Sequence, residues 1–151
     1  MEVKMLKVAL ILFFILPGFL TTAYAQEDVM KKLLSSKSLK CTFQNGSIAK
    51  WKDGKLRIET DRSASTIHFD SIDLQNKTGR GIGNQGTSDE VLIVTASGIT
   101  FIEQTGMGNL VFTTVFPYRN KEGDFIAVTS RHMDLVGPFP SQYHGTCKKW
   151  D

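Results

Sequence analysis

The stretch Ser47-Ile48-Ala49-Lys50-Trp51-Lys52-Asp53-Gly54-Lys55-Leu56-Arg57-Ile58-Glu59-Thr60-Asp61 decides the fold class. Asp53-Gly54 suits a two-residue turn whose central residues need positive φ, and polarity on both flanks alternates with a period of two. Ala49, Trp51, Leu56 and Ile58 share one side, and Lys50, Lys52, Lys55 and Arg57 share the other. The pattern predicts a β-hairpin with its apolar side buried.

Working outward, the same period marks strands at Leu39–Gln44, Thr66–Leu74, Glu90–Ala96, Ile99–Thr105, Asn109–Tyr118, Asp124–Leu135 and Gln142–Trp150, with Gly-, Ser- or Pro-containing breaks between them. Asn45-Gly46 reads as a turn or a bulge, and Gly79–Asp89 as the longest flexible loop. Only Glu27–Ser35 has helical spacing, with Val29, Met30, Leu33 and Leu34 on one stripe. Short connections favour an antiparallel meander, because parallel strands need long crossovers. The expected fold is therefore all-β: a closed or nearly closed barrel of roughly eight strands with one short N-terminal helix, the alternative being a β-sandwich. Composition agrees with a single domain: the 151 residues are 41% hydrophobic and 22% charged, with 13 Gly and only 2 Cys.

The first residues have a different character. Lys4 and Lys7 precede the unbroken apolar run Val8–Leu16, and Ala23-Tyr24-Ala25 supplies a small-x-small cleavage site. The run falls short of the roughly 20 apolar residues that span a bilayer. Residues 1–25 are thus read as a signal peptide cleaved after Ala25, and residues 26–151 as the exported, periplasmic or secreted domain with no transmembrane segment. In an oxidising compartment the pair Cys41 and Cys147 reads as a disulfide, which would hold the first and last strands together. The mature segment is nearly balanced in charge, but residues 26–62 hold nine basic and five acidic side chains. Global attraction to nucleic acid is excluded, and a local basic surface is not.

Motifs with chemical potential are few. Gly81, Gly83 and Gly86 spell GxGxxG, yet a strand pattern follows where a dinucleotide site needs a helix. Ser130, His132 and Asp134 have the composition of a hydrolytic triad. Residues two apart on one strand stand about 6.5–7 Å apart, too far for a nucleophile and its base. His132 could instead act with Glu103 from another strand, in a polar or ligand pocket comprising Glu103, Ser130, His132 and Tyr143. His68, His132 and His144 lack the spacing of metal ligands, and Asp70 and Asp73 lack that of a calcium loop, so no metal or cofactor is expected. Asn45-Gly46-Ser47 and Asn76-Lys77-Thr78 match the glycosylation pattern, which matters only in a eukaryotic secretory route.

Two features suggest binding. Leu110, Phe112, Thr114 and Phe116 alternate with Val111, Thr113 and Val115, so both faces of that strand are largely apolar and one could meet a covering segment or a small apolar ligand. In the hairpin, Lys52 should face Lys55 and Lys50 should face Arg57, a repulsion that an anionic lipid or other polyanion would relieve.

The segments Phe101-Ile102-Glu103-Gln104-Thr105, Ser130-Arg131-His132 and Pro140-Ser141-Gln142-Tyr143-His144-Gly145-Thr146-Cys147 resemble small exported bacterial β proteins of uncharacterised function, over about Leu39–Trp150. The resemblance implies bacterial export and a two-cysteine design, and carries no activity. Likeness to lipocalin-type and lysozyme-inhibitor-type barrels is one of architecture only. The leading expectation is a non-catalytic binding module for a small apolar ligand or a cell-envelope partner. Its alternatives are an enzyme using His132 with a carboxylate, and an anionic-surface binder using Lys50, Lys52, Lys55 and Arg57.

Overall fold

Helix α1 (26–34) leads into nine strands: β1 (Leu39–Lys52), β2 (Lys55–Asp61), β3 (Ser65–Asp73), β4 (Thr78–Gly83), β5 (Gly86–Thr95), β6 (Gly98–Gln104), β7 (Leu110–Arg119), β8 (Phe125–Asp134) and β9 (Pro138–Lys149). This computed structural model describes residues 26–134 and 137–150. The expected signal peptide over residues 1–25 lies outside the described residues.

Neighbouring strands pair antiparallel in the order β1-β3-β4-β5-β6-β7-β8-β9, and β9 pairs again with β1. Eight strands therefore close into a barrel, as expected, while β2 attaches to the outer half of β1. Closure removes the barrel's exposed edges. The seam brings Cys41 opposite Cys147, and a disulfide joins them across a sequence separation of 106.

One residue in β1 reverses the expected orientation of the hairpin. Before it, Leu39, Cys41 and Phe43 point into the barrel; the pairing with β9 then shifts between Phe43 and Asn45. Gln44 is the extra residue of a β-bulge, so Gly46, Ile48 and Lys50 take the inner side and Ala49 and Trp51 the outer. The expected burial of the hairpin's apolar side is corrected: Trp51 is 56% exposed, Leu56 49% and Ile58 71%. The candidate strands Leu39–Gln44 and Ser47–Lys52 are one continuous element with Asn45-Gly46 at its irregularity.

Inside, side chains fill the barrel in registered layers. Leu92, Phe101, Thr113, Thr129 and Tyr143 follow one another across β5 to β9. The Thr113 hydroxyl donates to Thr129 at 2.9 Å within this layer, satisfying two buried polar groups. Below it run Ile99, Val115, Ala127 and Gly145, opposite Phe43. Phe69 stacks on Phe101 with ring centroids 4.0 Å apart. Gly145 is required here, because a Cβ would collide with the Thr42 carbonyl and the Phe43 ring.

Helix α1 closes one end rather than covering the face of β7. Leu33 is fully buried with Leu39 and Ile72 in the core, and Gln26 Nε2 donates to the Pro117 carbonyl at 2.7 Å. Burial of a leucine contributes about 1.5–3 kcal/mol, which offsets the weak stability of so short a helix.

The expected flexible loop Gly79–Asp89 is instead most of a hairpin formed by β4 and the start of β5. Gly79 and Gly81 point inward beside Leu92 and Glu90, where absent side chains leave room for their neighbours. The GxGxxG glycines thus serve packing and a tight turn.

Candidate functional site

Alternating strand direction puts the turns after β1, β4 and β6 at one end of the barrel, opposite α1. Among the described residues at this end stand the projecting, exposed hairpin and a polar layer inside the barrel.

The hairpin's turn has positive φ at Asp53 (52°) and Gly54 (71°), as a two-residue turn of this kind needs. Its register sets Lys50 opposite Arg57 and Lys52 opposite Lys55, as the sequence predicts. Glu59 relieves part of the repulsion, accepting from Lys50 Nζ at 2.8 Å, and this bond holds the Glu59 carboxyl below its usual range. Lys50 Nζ also lies 5.7 Å from the Phe139 ring centroid. Lys52, Lys55 and Arg57 are exposed, as are Trp51, Leu56 and Ile58 on the other side and Met107 in the turn after β6. The projecting ribbon has one basic and one apolar side, both facing solvent.

Within the mouth, Glu90, Glu103, Val111, Arg131 and Ser141 are successive partners across β5 to β9. Glu90 is buried and accepts from the Ser88 hydroxyl at 3.0 Å. Burial pushes its carboxyl up to about 7; the Ser88 bond opposes the rise, and the charges of Glu103 and Asp89 add to it. Next to this layer, the Tyr143 hydroxyl donates to Asp61 Oδ2 at 2.6 Å, and the Arg131 guanidinium carbon lies 5.2 Å from the Tyr143 ring centroid. The Tyr143 bond, aided by the Ser63 hydroxyl and backbone N–H, lowers the Asp61 carboxyl to about 2. Burial, followed by the bond to Asp61, raises the Tyr143 phenol. Gly46 allows the arrangement, because a Cβ there would occupy the space of the Tyr143 ring.

The residues expected to share a pocket are divided by the barrel wall. Glu103 and Tyr143 belong to inward layers, whereas Ser130 and His132 alternate with inward Thr129 and Arg131 and so face outward. His132 is exposed, with its ring centroid 5.3 Å from that of Phe112, and Ser130 Oγ accepts from Gln142 Nε2 at 3.1 Å. His132 and Glu103 are not brought together. His68 lies edge-on to Trp150 and His144 is exposed; among the described residues, no group of three His, Cys, Asp or Glu side chains could hold a metal ion.

Sequence reading missed Asp61, Glu90 and the role of Gly46. Glu90 had a usable signal: within Glu90–Val94 it shares the parity of Leu92, which points inward. Asp61 had none, since its partner is 82 residues away. Among the described residues no helix is long and apolar enough to cross a membrane. Compared with protein-family models the chain matches none, and it matches no curated protein.

Proposed function

We propose that the protein is an exported, non-catalytic binding module that seats its projecting hairpin on the anionic lipid surface of the cell envelope. One observation carries this reading: Trp51, Leu56 and Ile58 are exposed on one side of the ribbon, with Lys50, Lys52, Lys55 and Arg57 on the other. An amphipathic surface of this kind places an indole and aliphatic groups at the headgroup boundary while the cations stay with lipid phosphates. The disulfide supports an oxidising, extracytoplasmic setting. Among the described residues the barrel interior is taken up by Phe43, Phe69, Leu92 and Phe101, which directs recognition to the outer surface rather than to an enclosed apolar ligand.

The test is sedimentation with phosphatidylglycerol vesicles and with phosphatidylcholine vesicles. Binding to the first, weakened by salt, is expected. Each lysine near an anionic surface contributes about 1 kcal/mol, so combining Lys50→Ala, Lys52→Ala and Lys55→Ala should weaken binding roughly a hundredfold. Equal binding to both vesicle types, or none to either, rejects the proposal.

A further inference from the structure

The outer edge of the hairpin is complementary to itself. β2 is the last strand in the sheet order, bonded to β1 on one side, and all of it except Asp61 is exposed. With a two-residue turn, Lys52 and Lys55 form the first bonded pair, so the backbone groups of Lys55, Arg57, Glu59 and Asp61 address β1. Among the described residues no strand pairs with the other side of β2, so those of Leu56, Ile58 and Thr60 are left directed outward.

We infer that two copies of the chain join through antiparallel pairing of β2 with β2, about a two-fold axis at Ile58. A symmetric antiparallel pair is centred either on a residue whose backbone groups face the edge, Leu56, Ile58 or Thr60, or on a non-hydrogen-bonded residue between them, which sets Lys55, Arg57, Glu59 or Asp61 against the same charge in the other copy. Centring on Leu56 sets Lys55 against Arg57 of the other copy, and centring on Thr60 sets Glu59 against Asp61. Both place like charges opposite one another. Centring on Ile58 pairs Arg57 with Glu59 and Lys55 with Asp61, each twice, and sets Leu56 against Thr60. Every charged residue of the strand then faces its opposite. The pairing also joins the Trp51, Leu56 and Ile58 sides of both copies into one continuous apolar strip. The two short hairpins become a four-stranded ribbon, and both exposed edges of β2 are satisfied. The inference stands apart from the lipid-binding proposal, because it concerns the edge of the ribbon and not either of its sides.

The test is sedimentation-velocity analysis of the full oxidised chain without lipid, with circular dichroism and thermal melting to establish that each variant is folded. The wild-type chain is expected to be dimeric. Arg57→Glu alone or Glu59→Arg alone places like charges together at two symmetry-related positions and should weaken dimerisation by about tenfold or more. The swap combining both substitutions restores opposite pairs and should recover the dimer. Ile58→Pro removes an outward N–H without removing a bond to β1 and should give a folded monomer. A wild-type monomer, folded single charge variants that dimerise like wild type, or a folded swap variant that stays monomeric would each overturn the inference.

Discussion

Tyr143 reaches across β1 to bond with Asp61, passing over Gly46, which pairs with both residues. Three strands are thereby tied at the point where β2 leaves the barrel wall. Removal of the hydroxyl in Tyr143→Phe should let the Asp61 carboxyl return toward an ordinary aspartate value of about 3.9. The depressed value stabilises the fold above the unfolded-state pKa and loses that contribution as pH falls toward about 2. The variant should therefore lose less stability than wild type over that acid range. An NMR titration of Asp61 that shows no upward movement in the variant contradicts the assignment.

The Glu90 carboxyl has the opposite sign of linkage. Its folded value of about 7 lies above its unfolded value, so its burial is favourable below about 4.5 and becomes a penalty as pH rises through 7. Glu90→Gln should remove this dependence and raise stability at pH 8 by up to about 3 kcal/mol, the energy equivalent of the shift. Urea melts of both chains at pH 5 and pH 8 provide the measurement. A constant difference between the two pH values contradicts the argument.

Reduction of the Cys41–Cys147 bridge should destabilise the barrel strongly. Chain entropy alone assigns about 4.7 kcal/mol to a loop of this length, and loss of a native disulfide typically costs 2–5 kcal/mol. Denaturant midpoints with and without reductant measure it, and the Cys41→Ala, Cys147→Ala double variant should match the reduced chain.

Leu33→Ala tests whether the helix acts as a plug. A fully buried leucine replaced by alanine costs about 2–5 kcal/mol where the site cannot collapse. Amide exchange should accelerate near Leu39 and Ile72 and change little near Tyr143. Uniform acceleration over the barrel would indicate that the end is not locally closed by the helix.

The period-two strands, the Asp53-Gly54 turn and the cysteine pairing were all legible because each is written in local residue types or in simple cysteine arithmetic. The reversal at Gln44 was not. The consequence of a bulge is settled by the register against β9, about 100 residues later, so the hairpin's side of Ala49, Trp51, Leu56 and Ile58 reads as buried from its apolar character alone. β4 was hidden for a different reason: Gly79, Gly81 and Gly83 carry no side-chain alternation, and their extended conformation comes from pairing with β3 and β5. Of the proposed binding element, the sequence showed the basic residues and their cross-strand partners. Solvent exposure of the apolar side follows from the hairpin's projection beyond Ile48, where the pairing of β1 with β9 ends, and so required the three-dimensional pairing. In the polar mouth Glu103 and Tyr143 were picked out and Glu90 was readable from its parity with Leu92, whereas Asp61 enters through a contact between distant segments.

The staple between Cys41 and Cys147 also has a mechanical meaning. A pull on the outer arm runs down β1 and meets the covalent crosslink just below the bulge, so the load passes into β9 without relying on hydrogen bonds alone. Under oxidising conditions the polypeptide between these residues should behave as a sealed ring under tension, and a molecule tethered by its arm should yield at that arm while the wall behind it holds.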